Sequence, residues 1–130
     1  MSQTTDPKIQ ACIDACDRCY QTCLHEAMNR CLESGGKHVA PEHMRLMLTC
    51  AAICQTSTTF MLSSSGFSNQ VCRVCAEVCE ACAKSCEQLS GMEECARVCL
   101  ECAESCREMA GYASGDQRIG AQERIPADDL

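Results

Sequence analysis

The chain has 130 residues, a net charge of −7, 16 Cys and 7 Met, but no Trp and only two Phe and two Tyr. That length supports one domain with a substantial core, yet aromatic packing can supply little of it. The acidic balance argues against nucleic acid or an acidic membrane surface as partner, and no run of 18 apolar residues offers a membrane span.

Residues 1–15 include Asp6, Lys8 and Asp14 and lack the apolar segment of a secretory signal. A cytoplasmic setting is therefore expected, with thiols kept reduced rather than built into a disulfide framework. Spacing agrees: Cβ atoms three or four residues apart on a helix lie about 5–6 Å from each other, wider than the ~3.5–4.5 Å of a disulfide.

Asp6 and Pro7 predict a helix start, as cap and first-turn residue. The first helix is expected to reach about Ser34, with an inward stripe of Ile9, Cys12, Cys16, Cys19, Cys23, Ala27 and Cys31 and a stop at Gly35-Gly36. Pro41-Glu42 opens a second helix whose stripe reads His43, Met47, Cys50, Cys54, Ser57, Met61. From Leu46 to Cys72 there is no charged residue, and such depletion marks the core of a subunit interface.

Ser63 to Gly66 forms a turn, with Ser68 expected as the N-cap of a third helix. That helix carries Cys72, Cys75, Cys79, Cys82 and Cys86 and is expected to end near Leu89. Ser90 and Glu93 predict a capping box for a fourth helix, which presents Met92, Cys95, Cys99, Cys102, Cys106 and Met109 and should stop at Gly111. Residues 1–112 are thus read as one bundle and 113–130 as a flexible or loosely docked tail.

Four helices of about 20 residues with short connections give an all-α, antiparallel up-down-up-down bundle with a Cys-lined core. Antiparallel alignment gathers Cys31, His43, Met47 and Met92 at one mouth, with Met28 and Met44 near in sequence. The other end collects Ile9, Phe60, Met61, Phe67 and Met109 and reads as a plug. His25 and His38 receive no role.

A free Cys can pack as a small hydrophobe, and one or two would need no other explanation. Sixteen in register have no packing rationale, since Ala, Val or Leu would fill the space without inviting oxidation. Soft thiolates select Cu(I), zinc or iron–sulfur clusters. Structural zinc and iron–sulfur sites use discrete, closed ligand sets, whereas an even ladder of thiols suits Cu(I), which accepts two or three bridging thiolates. One Cu(I) per thiolate keeps the interior neutral, giving a capacity of roughly a dozen to twenty ions. Thiols already fill the core, so the helices should form without metal. Met47, Met92 and His43 suit the passage of a soft cation at the mouth, with Met28 and Met44 weaker candidates. Competing readings are a thiol redox or iron–sulfur electron-transfer protein, and a zinc or general detoxification protein. Redox Cys pairs, however, usually sit at a helix N-terminus, and these are mid-helix.

The Cys-x3-Cys-x2-Cys-x3-Cys spacing on three helices, two Cys on the second helix and Met/His at one end resemble the four-helix-bundle copper storage proteins, in their cytosolic branch. The likeness covers about Pro7 to Tyr112. It implies storage of many Cu(I) ions rather than catalysis, homotetramers of bundles, and all 16 Cys as ligands. A copper chaperone or chelator would be the donor.

Overall fold

The computed structural model describes residues 6–114, side chains through Gly111. The elements are α1 (Pro7–Glu26), a π turn (Ala27–Cys31), α2 (Leu32–Ser34), a 3-10 turn (Gly36–Val39), α3 (Pro41–Leu62), α4 (Ser68–Glu87) and α5 (Glu93–Ser114). No strand occurs among the described residues. The expected α1 start is present: the Lys8 backbone N–H donates to Asp6 Oδ1 at 2.7 Å, and Pro7 occupies the first turn.

The long helices form an antiparallel ring in which α1 lies between α3 and α5, and α4 lies between α3 and α5 on the far side. Stripes of Cys and Ala face inward, and every one of the 16 Cys is buried and free. Beyond sulfur, the interior holds mainly Ala, Met47, Met61, Met92, Met109, Ile13 and Val98. Small thiols let helices approach closely, which takes the place of the missing aromatic core.

α1 and α2 are one continuous helix interrupted by the π turn. At about 100° per residue, eight regular α-helical residues from Cys23 would leave Cys31 about 80° off the stripe. A π turn absorbs one extra residue, which brings Cys31 back to the core, where it is fully buried. Met28, five residues after Cys23 and so about 140° off the stripe even on a regular helix, faces out at 42% exposed.

Four expected boundaries are corrected. Ser68 does not cap α4; it is the first helical residue, and its hydroxyl donates to the Phe60 and Ser65 carbonyls to close the preceding turn. α4 ends at Glu87 rather than Leu89. Ser90 lies too far back to be a capping box with Glu93, because α5 begins at Glu93 itself after Gly91, whose φ is +79°. That left-handed conformation suits glycine, and the Arg30 side chain lies against it: a Cβ there would meet Arg30 Nη1 at 2.9 Å. α5 also continues through Gly111 to Ser114. One glycine costs only ~1 kcal/mol in a helix, less than the packed stripe contributes. Residues 115–130, most of the expected tail, lie outside the described residues.

No described helix is long and apolar enough to cross a membrane. From Leu46 onward the outer face of α3 is uncharged as expected, while Glu42 and Arg45 are exposed in its first turns, and Thr49, Thr56 and Thr59 donate their hydroxyls to carbonyls one turn back, to Arg45, Ala52 and Gln55. Those donors are satisfied within the helix.

Candidate metal centre

Each antiparallel pair sets a register that stacks the sulfurs in layers. Between α1 and α5, Cys12 faces Cys106 at 3.7 Å, Cys16 faces Cys102 at 3.7 Å, Cys19 faces Cys99 at 3.8 Å and Cys23 faces Cys95 at 3.8 Å. Between α3 and α4, Cys50 faces Cys79 at 3.5 Å and Cys54 faces Cys75 at 3.8 Å. Neighbouring helices are linked too, as in Cys19–Cys50 at 3.6 Å and Cys23–Cys50 at 3.7 Å. Sulfurs also meet across the diagonals of the ring, Cys19 with Cys79 at 3.9 Å and Cys54 with Cys102 at 3.7 Å. Thiols therefore fill the axis itself, not only its walls.

Four compact sets of four sulfurs result, each with all members within 4.8 Å of one another: Cys16, Cys75, Cys102 and Cys106; Cys54, Cys75, Cys79 and Cys102; Cys19, Cys50, Cys54 and Cys79; and Cys19, Cys23, Cys50 and Cys99. A triangle of Cys12, Cys72 and Cys106 ends the series. The expectation of an even ladder is refined here: the sulfurs do converge on points, but the points overlap. Cys75 and Cys102 belong to two sets, as do Cys19, Cys50, Cys54, Cys79 and Cys106. Isolated tetrahedral sites would compete for these residues, whereas bridging thiolates serve two neighbouring ions at once.

The spacing also fits. With a metal–thiolate bond near the ~2.3 Å of zinc, sulfurs stand about 4.0 Å apart in a trigonal site and about 4.6 Å in a linear one. The metal-free contacts already lie just below those separations, so loading demands only small outward shifts.

Mutual hydrogen bonding moves the thiols to either side of their ordinary range. Bonds with Cys102 above all, reinforced by burial, hold Cys54 above the ordinary thiol range, while a bond from Cys102 leads those that hold Cys75 below it. Cys72 is pushed up to about 12: a bond from Cys106 lowers it, but a bond with Cys12 and burial outweigh that. Cys31, away from this network, is pushed up to about 11 chiefly by burial.

At the opposite end the donor chemistry changes. Met47 is fully buried, and its Sδ accepts from Cys82 and Cys86 at 3.5 and 3.6 Å. His43 Nε2 lies 3.5 Å from Cys31 Sγ, and its Nδ1 lies 2.7 Å from Ser85 Oγ. Burial is the main force holding His43 below the usual imidazole range, which keeps a lone pair available. Met92 is fully buried and Met44 half-buried against the core. Of the five mouth residues expected, His43, Met47 and Met92 are inside, Met44 is peripheral, and Met28 faces out. Sequence reasoning missed two contributors. Ser85 orients His43 from one residue before Cys86, a position adjacent to the stripe. His38 Nε2 donates to the Ser90 carbonyl at 3.0 Å and ties the turn before α3 to that before α5.

The sequence model for copper storage proteins (Csp) matches residues 5–111. A crystal structure of a protein from Nitrosospira multiformis is similar at a TM-score of 0.81 and 67% identity, over 83% of this chain and 99% of that one. The Cu(I)-bound copper storage protein BsCsp3 gives a TM-score of 0.73 at 37% identity, over 79% and 98%. Apo copper storage protein 3 of Bacillus subtilis gives 0.65 at 39%, over 78% and 97%. An uncharacterised cysteine-rich protein of Bacillus subtilis, YhjQ, is 38% identical over 68 residues, 52% of this chain and 62% of that relative. The chain belongs to the copper storage protein family.

Proposed function

We propose that this bundle stores Cu(I) in the cytoplasm, with the Cys thiolates as ligands and the His43–Met47–Met92 end as the way in. The observation that carries this reading is the series of overlapping four-sulfur sets, all buried, all reduced, and sharing members. Shared ligands suit a cation content with two or three bridging soft donors. Neutrality then favours about one ion per thiolate, since fewer ions would strand negative charge in an apolar interior. Cys31, Cys82, Cys86 and Cys95 lie outside the compact sets and serve as the upper ligands, beside the thioether and imidazole. Sixteen unpaired thiols fit a reducing compartment.

Subunits are proposed to associate as a homotetramer through the charge-free Leu46–Leu62 part of α3, which exposes Leu48 and Leu62 and has satisfied its own threonine hydroxyls. A chaperone or small chelator would deliver the metal, and the protein's role is to sequester rather than to catalyse.

Anaerobic titration with Cu(I) against a chromophoric chelator tests the reading. Saturation at roughly a dozen to twenty ions is expected on the neutrality argument; saturation at one to four removes the storage function. Light scattering on the same samples reads the assembly, and a monomer would remove the interface.

A further inference from the structure

The closed end of the sulfur column contains a polar group that packing does not explain. Ser57 lies on the inward stripe of α3, is fully buried, and its Oγ has no hydrogen-bond partner among the described residues. Met47 faces Cys82, Cys50 faces Cys79 and Cys54 faces Cys75. The same register, carried one turn further, sets Ser57 opposite Cys72. Cys72 belongs to the Cys12–Cys72–Cys106 triangle, so Ser57 takes the fourth corner of the layer that has only three thiols.

An alanine would occupy that corner with no polar atom to desolvate, and a cysteine would complete the ligand set. A buried, unpaired hydroxyl is worse than either for the metal-free fold, and a neutral hydroxyl is a poor ligand for a soft cation. Charge explains its use. Cys12 and Cys72 belong to the triangle alone, whereas Cys106 is shared with the next set. Thiolates at the end of the column therefore bridge fewer ions and keep more of their negative charge. Met61 and Met109, buried beyond them, offer no donor, and the Ser68 hydroxyl is already spent on two carbonyls.

We propose that Ser57 Oγ–H donates a hydrogen bond to a metal-bound thiolate of the Cys12–Cys72–Cys106 triangle, with Cys72 its register partner, and makes this end layer the most retentive part of the store. The inference rests on the Cu(I)-storage reading above. Its test is the Ser57→Ala variant in the full chain, with two measurements beside wild type. One is the thermal midpoint of the metal-free protein. The other is anaerobic equilibrium extraction of Cu(I) from the loaded protein by bathocuproine disulfonate.

Ser57→Ala should leave the metal-free midpoint equal or higher, because it deletes an unpaired hydroxyl. The last ions extracted should yield at a chelator concentration lower by about threefold or more, since each Cu(I) takes two chelator molecules and losing a hydrogen bond to a charged sulfur weakens binding by about tenfold or more. Unchanged extraction overturns the inference. A lower metal-free midpoint also overturns it, since the hydroxyl would then serve the empty fold. Failure of wild type to take up more than a few ions would instead sink the storage reading, so the two failures are distinguishable.

Discussion

Replacing Cys54 with alanine probes the centre of the column, where sharing of ligands is greatest. Its sulfur touches Cys75 at 3.8 Å, Cys79 at 3.6 Å and Cys102 at 3.7 Å, reaching two other helices. Removing one buried sulfur loses about the transfer energy of a methylene plus a term for the small cavity, together about 1–2 kcal/mol. In a domain of this size that lowers the metal-free melting temperature by about 5–10 °C, with the helix signal intact. The metal readout discriminates more sharply. Neutrality sets the loss at about one ion for the one thiolate removed, although Cys54 belongs to two sets. Circular dichroism melts under reductant give the first quantity and chelator-competed titration the second. Unchanged capacity would mean that Cys54 is packing and not ligand. A fall to a few ions would mean that the column loads as one indivisible cluster, contrary to overlapping layers.

Joint substitution His43→Gln, Met47→Leu and Met92→Leu should slow Cu(I) loading several-fold in stopped-flow transfer from a chelator, while the saturating stoichiometry changes little; an unchanged rate removes the mouth assignment. The metal-free protein should be helical and should lose stability above pH 9. The Cys31 thiol has an ordinary value of 9.0 and is pushed up to about 11 in the fold, and Cys72 is pushed up to about 12. Above pH 9 the unfolded chain gives up these protons before the folded one does, so stability falls as pH rises through 11. Melting temperatures measured from pH 9 to 11 should decline, and a flat or rising series contradicts the burial argument.

Much of the bundle was legible because one residue type marks the core at helical period in all four long helices. Cys, unlike Leu, rarely decorates a surface, so the stripes of α1, α4 and α5 could be read directly, and α3 followed from the same intervals. Phase-breaking features were not legible. The eight-residue step from Cys23 to Cys31 departs from the stripe's period but does not say that a π turn absorbs it, and closeness in sequence puts Met28 near the mouth although it faces out. Ser90 and Glu93 satisfy a capping pattern, but the left-handed Gly91 beneath Arg30 delays α5 until Glu93. The overlap of ligand sets was hidden for a different reason. It depends on diagonal contacts such as Cys54 with Cys102, which are set by how closely four helices approach and not by any one stripe.

The π turn separates two design problems that a plain helix would tie together. Below it, Cys12 to Cys23 keep the strict spacing that four interlocked layers demand. Above it, the helix has been rephased by one residue, so the His43–Met47 end can be repositioned in angle and height without retuning the sulfur column. Shortening the chain by one residue within Ala27–Cys31 would put Cys31 seven residues after Cys23, two turns of ordinary α-helix, and leave it facing nearly the same way. The same deletion anywhere between Cys12 and Cys23 would rotate the column's own ligands out of line. Tolerance to length change is therefore concentrated at the His43–Met47 end, and the sulfur column beneath it is rigid in register.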